Sequence, residues 1–305
     1  MRLASDHEGR LWFGEMNRNF LAVFDPRTRT FQQWTPPGGK YGIMNTQVAA
    51  DDTIWFAEQY ANYIGHYFPT SGQYQLYHLP TITVPDPGNA SKTLSLPVAP
   101  NDLALDARGV WFTEINAGAL GRIDVHTGVT QQYPLADKKD AQALAPYGVT
   151  VDRQGMVWFT EMGGKRIGRL DPVHGGIRLY TVSGQNVAPM EIASDARGMV
   201  WATTFTANLL LSLDPRTGAF TAYSVPTTGG SGAGGLYDLV ITPDNSVWVT
   251  VSADSAIARL DVSARRFTSY RIPTDSSLPI GIVVGANHTL WFTEAGSDRV
   301  GMMQT

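Results

Sequence analysis

Five glutamates recur three residues after a tryptophan, at the end of a Trp-Phe-x-Glu run: Glu15, Glu58, Glu114, Glu161 and Glu294. A carboxylate at a fixed place in a protein can act as a general acid or base, or bind a divalent metal. A feature present in five units usually belongs to the structure of the unit, for instance by accepting backbone N–H bonds from a neighbouring loop. We therefore predict a structural role for most of these glutamates, and we expect function where the repeat changes.

A second set of oxygen-bearing side chains lies in a different part of the repeat, near the start of its first strand. It consists of Asn101, Asp102, Glu191 and Asp238. Carboxylate and amide oxygens of this kind could surround one metal ion, as a metal-dependent hydrolase or lactonase would require. Whether they converge depends on the fold that carries them.

The tryptophans define the repeating unit. Seven of them, Trp12, Trp55, Trp111, Trp158, Trp201, Trp248 and Trp291, are spaced by 43, 56, 47, 43, 47 and 43 residues. Around Trp158, β-rich runs on either side of the turn 152–155 indicate a hairpin, and 166–170 and 177–182 supply two more strands. Four antiparallel strands with a period in the forties are typical of a propeller blade. The sequence predicts an all-β, seven-bladed propeller of four-stranded blades; a solenoid or sandwich would have a shorter or less regular period.

Composition narrows the possible functions. The chain has 305 residues, a formal net charge of −4 and no cysteine. Because the repeat runs from end to end, we interpret residues 1–305 as one domain. The charge argues against nucleic acid as a partner, and no apolar run reaches the length of a membrane span. The lack of cysteine excludes disulfides and thiolate chemistry but assigns no compartment.

The longest insertions all connect the last strand of one unit to the first strand of the next. They are Pro80–Pro100, which we interpret as an irregular, partly extended loop, Ala136–Ala145, where a short helix is possible, and the flexible run Thr227–Gly235. In a propeller these connections share one face, here called the top face, with the start of every first strand. Binding residues concentrate on loops carried by a rigid scaffold, so the top face is the predicted site.

The register of the hairpin selects residues on that face. With the turn centred near Gln154, Tyr147 is predicted to lie opposite Glu161, and Val149 opposite Phe159. Directly opposite residues project to the same side of a sheet. Each blade is therefore expected to place one first-strand residue, such as Tyr147, Met190, Tyr237 or Ile280, beside the last residue of its second strand.

The units Pro-Tyr-Gly-Val-Thr-Val-Asp (146–152), Val-Trp-Phe-Thr-Glu (157–161) and Arg-Ile-Gly-Arg-Leu-Asp-Pro (166–172) resemble the virginiamycin B lyase, or streptogramin lyase, family. The last unit, with Pro-Ile-Gly-Ile-Val-Val and Leu-Trp-Phe-Thr-Glu, is similar. The resemblance implies a seven-bladed propeller that opens the streptogramin B ring by elimination at an ester, using a divalent metal that is usually Mg²⁺.

The same resemblance implies residues that this chain lacks. It implies a catalytic His where Ile280 stands, a metal-binding Glu at Leu278 and a second active-site His at Tyr237; the other metal-binding Glu is kept as Glu294. Isoleucine cannot accept a proton, and a tyrosine with a pKa of about 10 is a poor base at neutral pH. One carboxylate alone is a weak Mg²⁺ site.

The favoured interpretation is a propeller without catalytic residues and without a cofactor, which binds a small molecule or a peptide at the top face. Two alternatives stay open: an active Mg²⁺-dependent lyase with a rearranged base, and a metal-dependent hydrolase or lactonase. The candidate ligand-binding residues are Asn101, Asp102, Tyr147, Met190, Glu191, Tyr237, Asp238, Ile280 and Glu294.

The two ends of the sequence lead to a further expectation. The first unit starts at its own first strand and the last ends after its third, so we expect a segment of a longer protein and a three-stranded seventh blade. Residues 299–304 would then form an exposed edge, which offers unpaired backbone groups to another strand. We predict that this edge is completed by a missing strand or by self-association.

Overall fold

The computed structural model describes residues 2–38, 42–86, 88–184, 187–227 and 235–305. These residues form eight antiparallel sheets: seven follow one another around a ring, six with four strands and the last with three, and the eighth is a two-stranded hairpin. In each sheet of the ring the strands lie side by side in chain order, and we call them A, B, C and D from the inside outward. The predicted all-β, seven-bladed propeller with a three-stranded last blade is confirmed.

The first three blades and the insertion between the second and third have the following strands. Blade 1 contains β1 Ala4–Ser5, β2 Leu11–Glu15, β3 Phe20–Asp25 and β4 Thr30–Trp34. Blade 2 contains β5 Ile43–Val48, β6 Ile54–Glu58, β7 Tyr63–Phe68 and β8 Gln73–His78. The insertion contains β9 Thr81–Asp86 and β10 Asn89–Pro97. Blade 3 contains β11 Pro100–Leu105, β12 Gly109–Glu114, β13 Ala119–Asp124 and β14 Thr130–Pro134.

The remaining four blades continue the same pattern after the helix α1 Lys138–Leu144. Blade 4 contains β15 Pro146–Val151, β16 Val157–Glu161, β17 Arg166–Leu170 and β18 Ile177–Thr181. Blade 5 contains β19 Pro189–Ser194, β20 Val200–Thr204, β21 Leu209–Asp214 and β22 Ala219–Ser224. Blade 6 contains β23 Leu236–Ile241, β24 Val247–Val251, a 3₁₀ turn Ser252–Asp254, β25 Ala256–Asp261 and β26 Arg266–Arg271. Blade 7 contains β27 Pro279–Val284, β28 Thr289–Glu294 and β29 Arg299–Gln304.

The structure describes the insertion 136–145 and, apart from residue 87, the insertion 80–100. The short helix that the sequence allowed in Ala136–Ala145 is present as α1. The segment 80–100, expected as an irregular loop, instead contains the antiparallel hairpin β9–β10. Its run Thr81-Ile82-Thr83-Val84 is rich in β-branched residues, and this preference prevails over the prolines that flank it. Residues 228–234 of the third insertion lie outside the described part of the chain.

The repeated tryptophans pack between neighbouring blades. Trp158 is 1% exposed and belongs to a cluster with Ile167 of its own blade and Ile192 of blade 5. Its indole N–H donates to a carboxylate in the A–B turn, Asp152, at 2.8 Å. The same bond joins Trp12 to Asp6, Trp111 to Asp106 and Trp201 to Asp195. The buried ring therefore keeps its one polar group satisfied, as a core tryptophan requires.

The ring closes between blades 7 and 1. Strand β1 contacts β27, and the rings of Phe24 and Trp291 lie 6.0 Å apart. The outermost strand of blade 7, β29, presents Met302 with 52% of its surface exposed. Self-association through residues 299–304 stays a prediction. No helical segment among the described residues has both the length and the apolar character that crossing a membrane requires.

Candidate functional site

A bulge near the start of strand A shapes the inner ring of the propeller. In blade 4, Pro146 lies opposite Glu161 and Val149 opposite Phe159, so two residues, Tyr147 and Gly148, oppose the single Thr160. The pairing also shifts near the start of strand A in blades 2, 3, 5, 6 and 7. The predicted pairing of Tyr147 with Glu161 is therefore wrong by one residue, whereas that of Val149 with Phe159 is confirmed. Bulges of this kind re-aim side chains and are common beside active sites.

In blades 3 to 6, a threonine in strand B links the strand-A bulge to the next blade. The Thr160 hydroxyl accepts the Gly148 N–H at 2.9 Å and donates to the Met190 carbonyl of blade 5 at 2.5 Å. Thr203 makes the corresponding pair of bonds with Glu191 N–H and the Tyr237 carbonyl, at 3.2 and 2.9 Å. Thr113 and Thr250 do the same in blades 3 and 6. The threonine of Trp-Phe-Thr-Glu thus has a structural task.

Gly148 shows how closely two blades approach at this level. A Cβ atom on residue 148 would lie 2.6 Å from the Met190 carbonyl oxygen and 3.1 Å from Glu191 Cα, whereas one on Gly176 would meet nothing within 4 Å. Gly148→Ala is therefore expected to destabilise the protein by about 1–3 kcal/mol, as overpacking does. Urea unfolding measures this, with Gly176→Ala as the matched control. Equal midpoints for the two variants would contradict the close approach.

The centre of the ring is occupied by an arginine that the sequence interpretation missed. The Arg2 guanidinium lies 3.2 Å from Asp102 Oδ2, 3.1 Å from Glu191 Oε2 and 3.2 Å from Asp238 Oδ1. The Arg2 side chain is 13% exposed and the three carboxylates 1–5%. Arg2 also donates to the Ile192 carbonyl at 3.4 Å. We call Arg2, Asp102, Glu191 and Asp238 the arginine network.

Hydrogen bonds extend the arginine network to the blades that supply none of its members. Asp102 accepts the amide of Asn45 in blade 2 and the backbone N–H of Val149 in blade 4, the latter at 2.7 Å. Asp238 accepts the backbone N–H of Ile282 in blade 7 at 3.1 Å. With Arg2 in blade 1, Asp102 in blade 3, Glu191 in blade 5 and Asp238 in blade 6, the network reaches all seven blades.

Burial and charge act against each other in the arginine network. Burial raises the pKa of Asp102 and raises that of Glu191 well above its ordinary value, although Arg2 lowers both. Burial alone would lower the pKa of Arg2, but the three carboxylates together raise it above its ordinary value. The guanidinium is therefore a permanent cation that is ion-paired with all three carboxylates.

Two tyrosines, one from blade 4 and one from blade 6, meet beside the arginine network. The hydroxyls of Tyr147 and Tyr237 are 2.9 Å apart, and burial raises the pKa of each. The ring of Phe205, which is 40% exposed, meets Tyr237 edge-on with centroids 6.2 Å apart. Asn101 donates to the Tyr147 carbonyl at 3.2 Å. This arrangement gives the top of the channel an aromatic surface.

The predicted site residues fall into three groups. The bulges bring Asn101, Tyr147, Met190, Tyr237 and Ile280 to one level at the start of strand A. Asp102, Glu191 and Asp238 are their chain neighbours and form the arginine network. Glu294 stands apart: its Oε1 lies over strand C of its own blade, where a Cβ on Gly301 would come within 2.7 Å. No hydrogen bond or ion pair among the described residues joins Glu294 to the arginine network.

Three of the other repeated glutamates, Glu58, Glu114 and Glu161, are buried, and the last two bond to side chains of their own blades. Glu161 accepts Arg166 Nε at 2.6 Å, and Glu114 accepts Gln132 Nε2 at 2.5 Å. Glu58 is fully buried. Burial raises the pKa of Glu58 and of Glu114 to about 7. None of these contacts involves a strand-A residue of the top face.

Arg2 and Phe205 are the residues of this region that sequence reasoning missed. Arg2 occupies the same repeat position as Asp102, Glu191 and Asp238. Opposite charges at one repeat position of different blades were therefore the sequence signal that could have indicated an ion-paired cluster. No comparable signal marked Phe205, because it lies in a B–C loop that varies from unit to unit.

The residues present do not fit the Mg²⁺ that the resemblance implies. In the described residues no group of three or more His, Cys, Asp or Glu side chains is placed to hold a metal ion. The buried carboxylates surround the guanidinium of Arg2 instead of a common vacant point. Leu278, which stands where the resemblance implies a metal-binding Glu, is 48% exposed and has no donor atom in its side chain.

The fold and the inner ring together define the class of this protein: it is a seven-bladed β-propeller whose repeats carry Trp-Phe-Thr-Glu or a variant of it. The sequence profile of the virginiamycin B lyase family matches residues 1–210 and 140–305. The chain belongs to the virginiamycin B lyase family. No curated protein sequence matches it.

Solved structures agree with this membership. A streptogramin B lyase superposes with a TM-score of 0.83 at 23% identity, over 99% of this chain and 91% of the other. The virginiamycin B lyase of Staphylococcus aureus gives 0.83 at 22% identity, over 99% and 94%. A catalytically inactive form of that enzyme with quinupristin gives 0.74 at 25% identity, over 96% and 84%. At identities of 22–25%, these superpositions establish that the fold is shared.

Proposed function

We propose that this chain is a binding member of the virginiamycin B lyase family, which recognises a small molecule or a peptide segment at the top face without ring-opening chemistry. The observation that carries the proposal is the state of Tyr237. This residue stands where the family resemblance implies an active-site His, its hydroxyl is bonded to Tyr147, and burial raises its pKa. A tyrosine can act as a general base only after its own hydroxyl has ionised. Because the pKa of Tyr237 is raised, its hydroxyl keeps its proton at neutral pH.

The positions around Tyr237 support the same proposal. Ile280 and Leu278 stand where the resemblance implies the catalytic His and a metal-binding Glu, and neither side chain can transfer a proton or bind a metal. The Asp102 and Glu191 carboxylates are committed to Arg2. The groups that remain for a ligand include the aromatic faces of Tyr147, Tyr237 and Phe205. They suit a ligand with an apolar or aromatic body.

The expected result of an activity assay is that purified protein leaves quinupristin cyclic. Quinupristin is the appropriate probe because it accompanies the Staphylococcus aureus enzyme in a solved structure. The protein is incubated with quinupristin and magnesium, and mass spectrometry follows the linear product, with an active streptogramin B lyase as the positive control. Magnesium-dependent linearisation that Glu294→Gln abolishes would overturn the proposal in favour of an active lyase.

The binding half of the proposal is tested at the top face. Compounds with aromatic bodies, quinupristin among them, are screened by ligand-observed NMR against the wild type and against Phe205→Ala. A matched control is Val173→Ala, which changes a side chain 79% exposed in a C–D turn on the opposite face. Hits should be weakened by Phe205→Ala and unaffected by Val173→Ala. Hits that respond to neither, or only to the control, would contradict a top-face site.

A further inference from the structure

Each carboxylate of the arginine network is the next residue in the chain after a residue of the top-face level. Asp102 follows Asn101, Glu191 follows Met190, and Asp238 follows Tyr237. In all three blades the two residues sit in or beside the strand-A bulge, where the pairing with strand B is interrupted. The ion pair between the carboxylate and Arg2 therefore fixes strand A at the point where its regular hydrogen bonds to strand B are interrupted.

Two of the carboxylates also bind strand A of the blades that have glycine at the repeat position of the carboxylates, which are blades 4 and 7. Asp102 Oδ2 accepts the backbone N–H of Val149, two residues after Tyr147, at 2.7 Å. Asp238 Oδ2 accepts that of Ile282, two residues after Ile280, at 3.1 Å. Gly148 and Gly281 bring no side chain of their own to the centre. Their strands are held by the acids of blades 3 and 6.

We infer that Arg2 is a positioning residue for the top face: its guanidinium fixes the bulges of blades 3, 5 and 6 directly and those of blades 4 and 7 through Asp102 and Asp238. The Tyr147–Tyr237 hydroxyl contact at 2.9 Å joins two of the blades held in this way. What the top face binds rests on the proposed function, but the geometry that Arg2 maintains does not depend on it.

The three-way contact requires a guanidinium. Nη1 faces Asp102, Nη2 faces Glu191 and Nε faces Asp238, so three different nitrogens are used. Lysine keeps the charge but has one ammonium on a flexible stem, which cannot reproduce the planar fork. Arg2→Lys therefore separates the charge of the residue from the positioning that its shape provides. Arg2→Met removes both.

The test places 3-fluorotyrosine at position 147 or 237 and records ¹⁹F NMR spectra of the folded protein. Arg2→Lys and Arg2→Met are expected to move both resonances by more than their linewidth. The matched control is Arg10→Met, which removes another ion-paired arginine of blade 1, bonded to Asp6 at 2.7 Å in the A–B turn on the opposite face. Arg10→Met is expected to leave both resonances in place even if it lowers the melting temperature.

Hydrogen exchange supplies a second readout in the same variants. The amides of Val149 and Ile282, which donate to network carboxylates, should exchange about tenfold faster or more in Arg2→Lys, because without the guanidinium fork those carboxylates are no longer fixed in place to accept the bonds. The Phe159 amide, in the middle of blade 4, serves as the internal reference. If Arg2→Met does not fold, Arg2→Lys decides alone.

Unchanged tyrosine resonances and unchanged Val149 and Ile282 exchange in Arg2→Lys would overturn the inference. So would equal effects of the Arg2 and Arg10 substitutions, which would indicate a general loss of stability. Neither experiment uses a ligand. Failure here therefore leaves the proposed binding function standing, and linearisation of quinupristin would leave the role of Arg2 standing.

Discussion

Trp158→Ala is expected to lower the free energy of unfolding by about 3–5 kcal/mol, the range found for large buried aromatic residues. The side chain is 1% exposed, packs against blade 5 and lies 5.8 Å from the Tyr180 ring in a stacked arrangement. Its removal also leaves the Asp152 carboxylate without the indole donor. Chemical denaturation measures the change, and the melting temperature should fall by about 2–4 °C for each kcal/mol lost.

Trp34→Ala is the matched control, because Trp34 is the tryptophan outside the repeat position. It is only half-buried in the outer strand of blade 1, although it stacks on Trp12 with centroids 5.6 Å apart. A smaller loss is expected there, since less apolar surface returns to water. Similar midpoints for wild type and Trp158→Ala would show that the repeated tryptophan does not hold the blades together.

Glu58→Gln combined with Glu114→Gln is expected to stabilise the protein at neutral and alkaline pH. Both carboxyls are at most 1% exposed, and burial raises the pKa of each from 4.5 to about 7. At 1.36 kcal/mol per pKa unit, each ionised glutamate costs up to about 3 kcal/mol above pH 7 relative to its neutral form. Glutamine keeps the shape and the bond to Gln132 and carries no charge.

The sign of the pH dependence follows from the difference in bound protons between the folded and the unfolded chain. Between pH 4.5 and about 7 the folded protein holds protons on Glu58 and Glu114 that the unfolded chain has released, so stability falls as the pH rises through this window. His66 acts in the opposite direction: burial lowers its pKa to about 4, so its contribution is lost as the pH falls from 6.5 towards 4. The comparison is therefore made between variant and wild type at each pH, where the His66 contribution cancels.

Urea midpoints at half-unit steps from pH 4 to pH 8.5 measure this prediction. The gain of the double variant over wild type should be small near pH 4, grow through pH 7 and then level off. Glu8→Gln is the surface control, since the Glu8 side chain is 53% exposed. A gain that does not change with pH would mean that the two buried carboxyls titrate alike in the folded and unfolded chain.

The blades could be predicted from the sequence because the tryptophan, the turn aspartate and the strand runs are local features with a fixed period. The outer strands followed from the strand runs of each unit, and the three-stranded last blade from the last unit ending after its third strand. The bulge could not be predicted in this way. It adds one residue to strand A within an otherwise regular ladder, so Tyr147 and Gly148 both fit the alternation of a strand until the pairing partner is known.

Part of the geometry of the candidate site was predicted, and ligand binding there stays a prediction. Asn101, Tyr147, Met190, Tyr237 and Ile280 were placed at one level because they share a repeat position. The fate of the acidic residues was not predictable from that position alone: Asp102, Glu191 and Asp238 suit a metal, a cationic ligand or an internal arginine equally well. Only the three-dimensional ring shows that Arg2, about a hundred residues or more from each of them, reaches their centre.

The threonine bonds have a consequence for how the chain tolerates alteration. In blades 3 to 6, the hydroxyl of a strand-B threonine accepts the bulge N–H of its own blade and donates to a bulge carbonyl of the next blade, as Thr160 does with Gly148 and Met190. Strands C and D supply none of these groups. A foreign domain inserted at the C–D turn around Val173, which is 79% exposed, should therefore leave the hydrogen-bonded inner ring assembled. The C–D turns on the outer rim can therefore be replaced or extended while the hydrogen bonds between the A–B hairpins at the centre are kept.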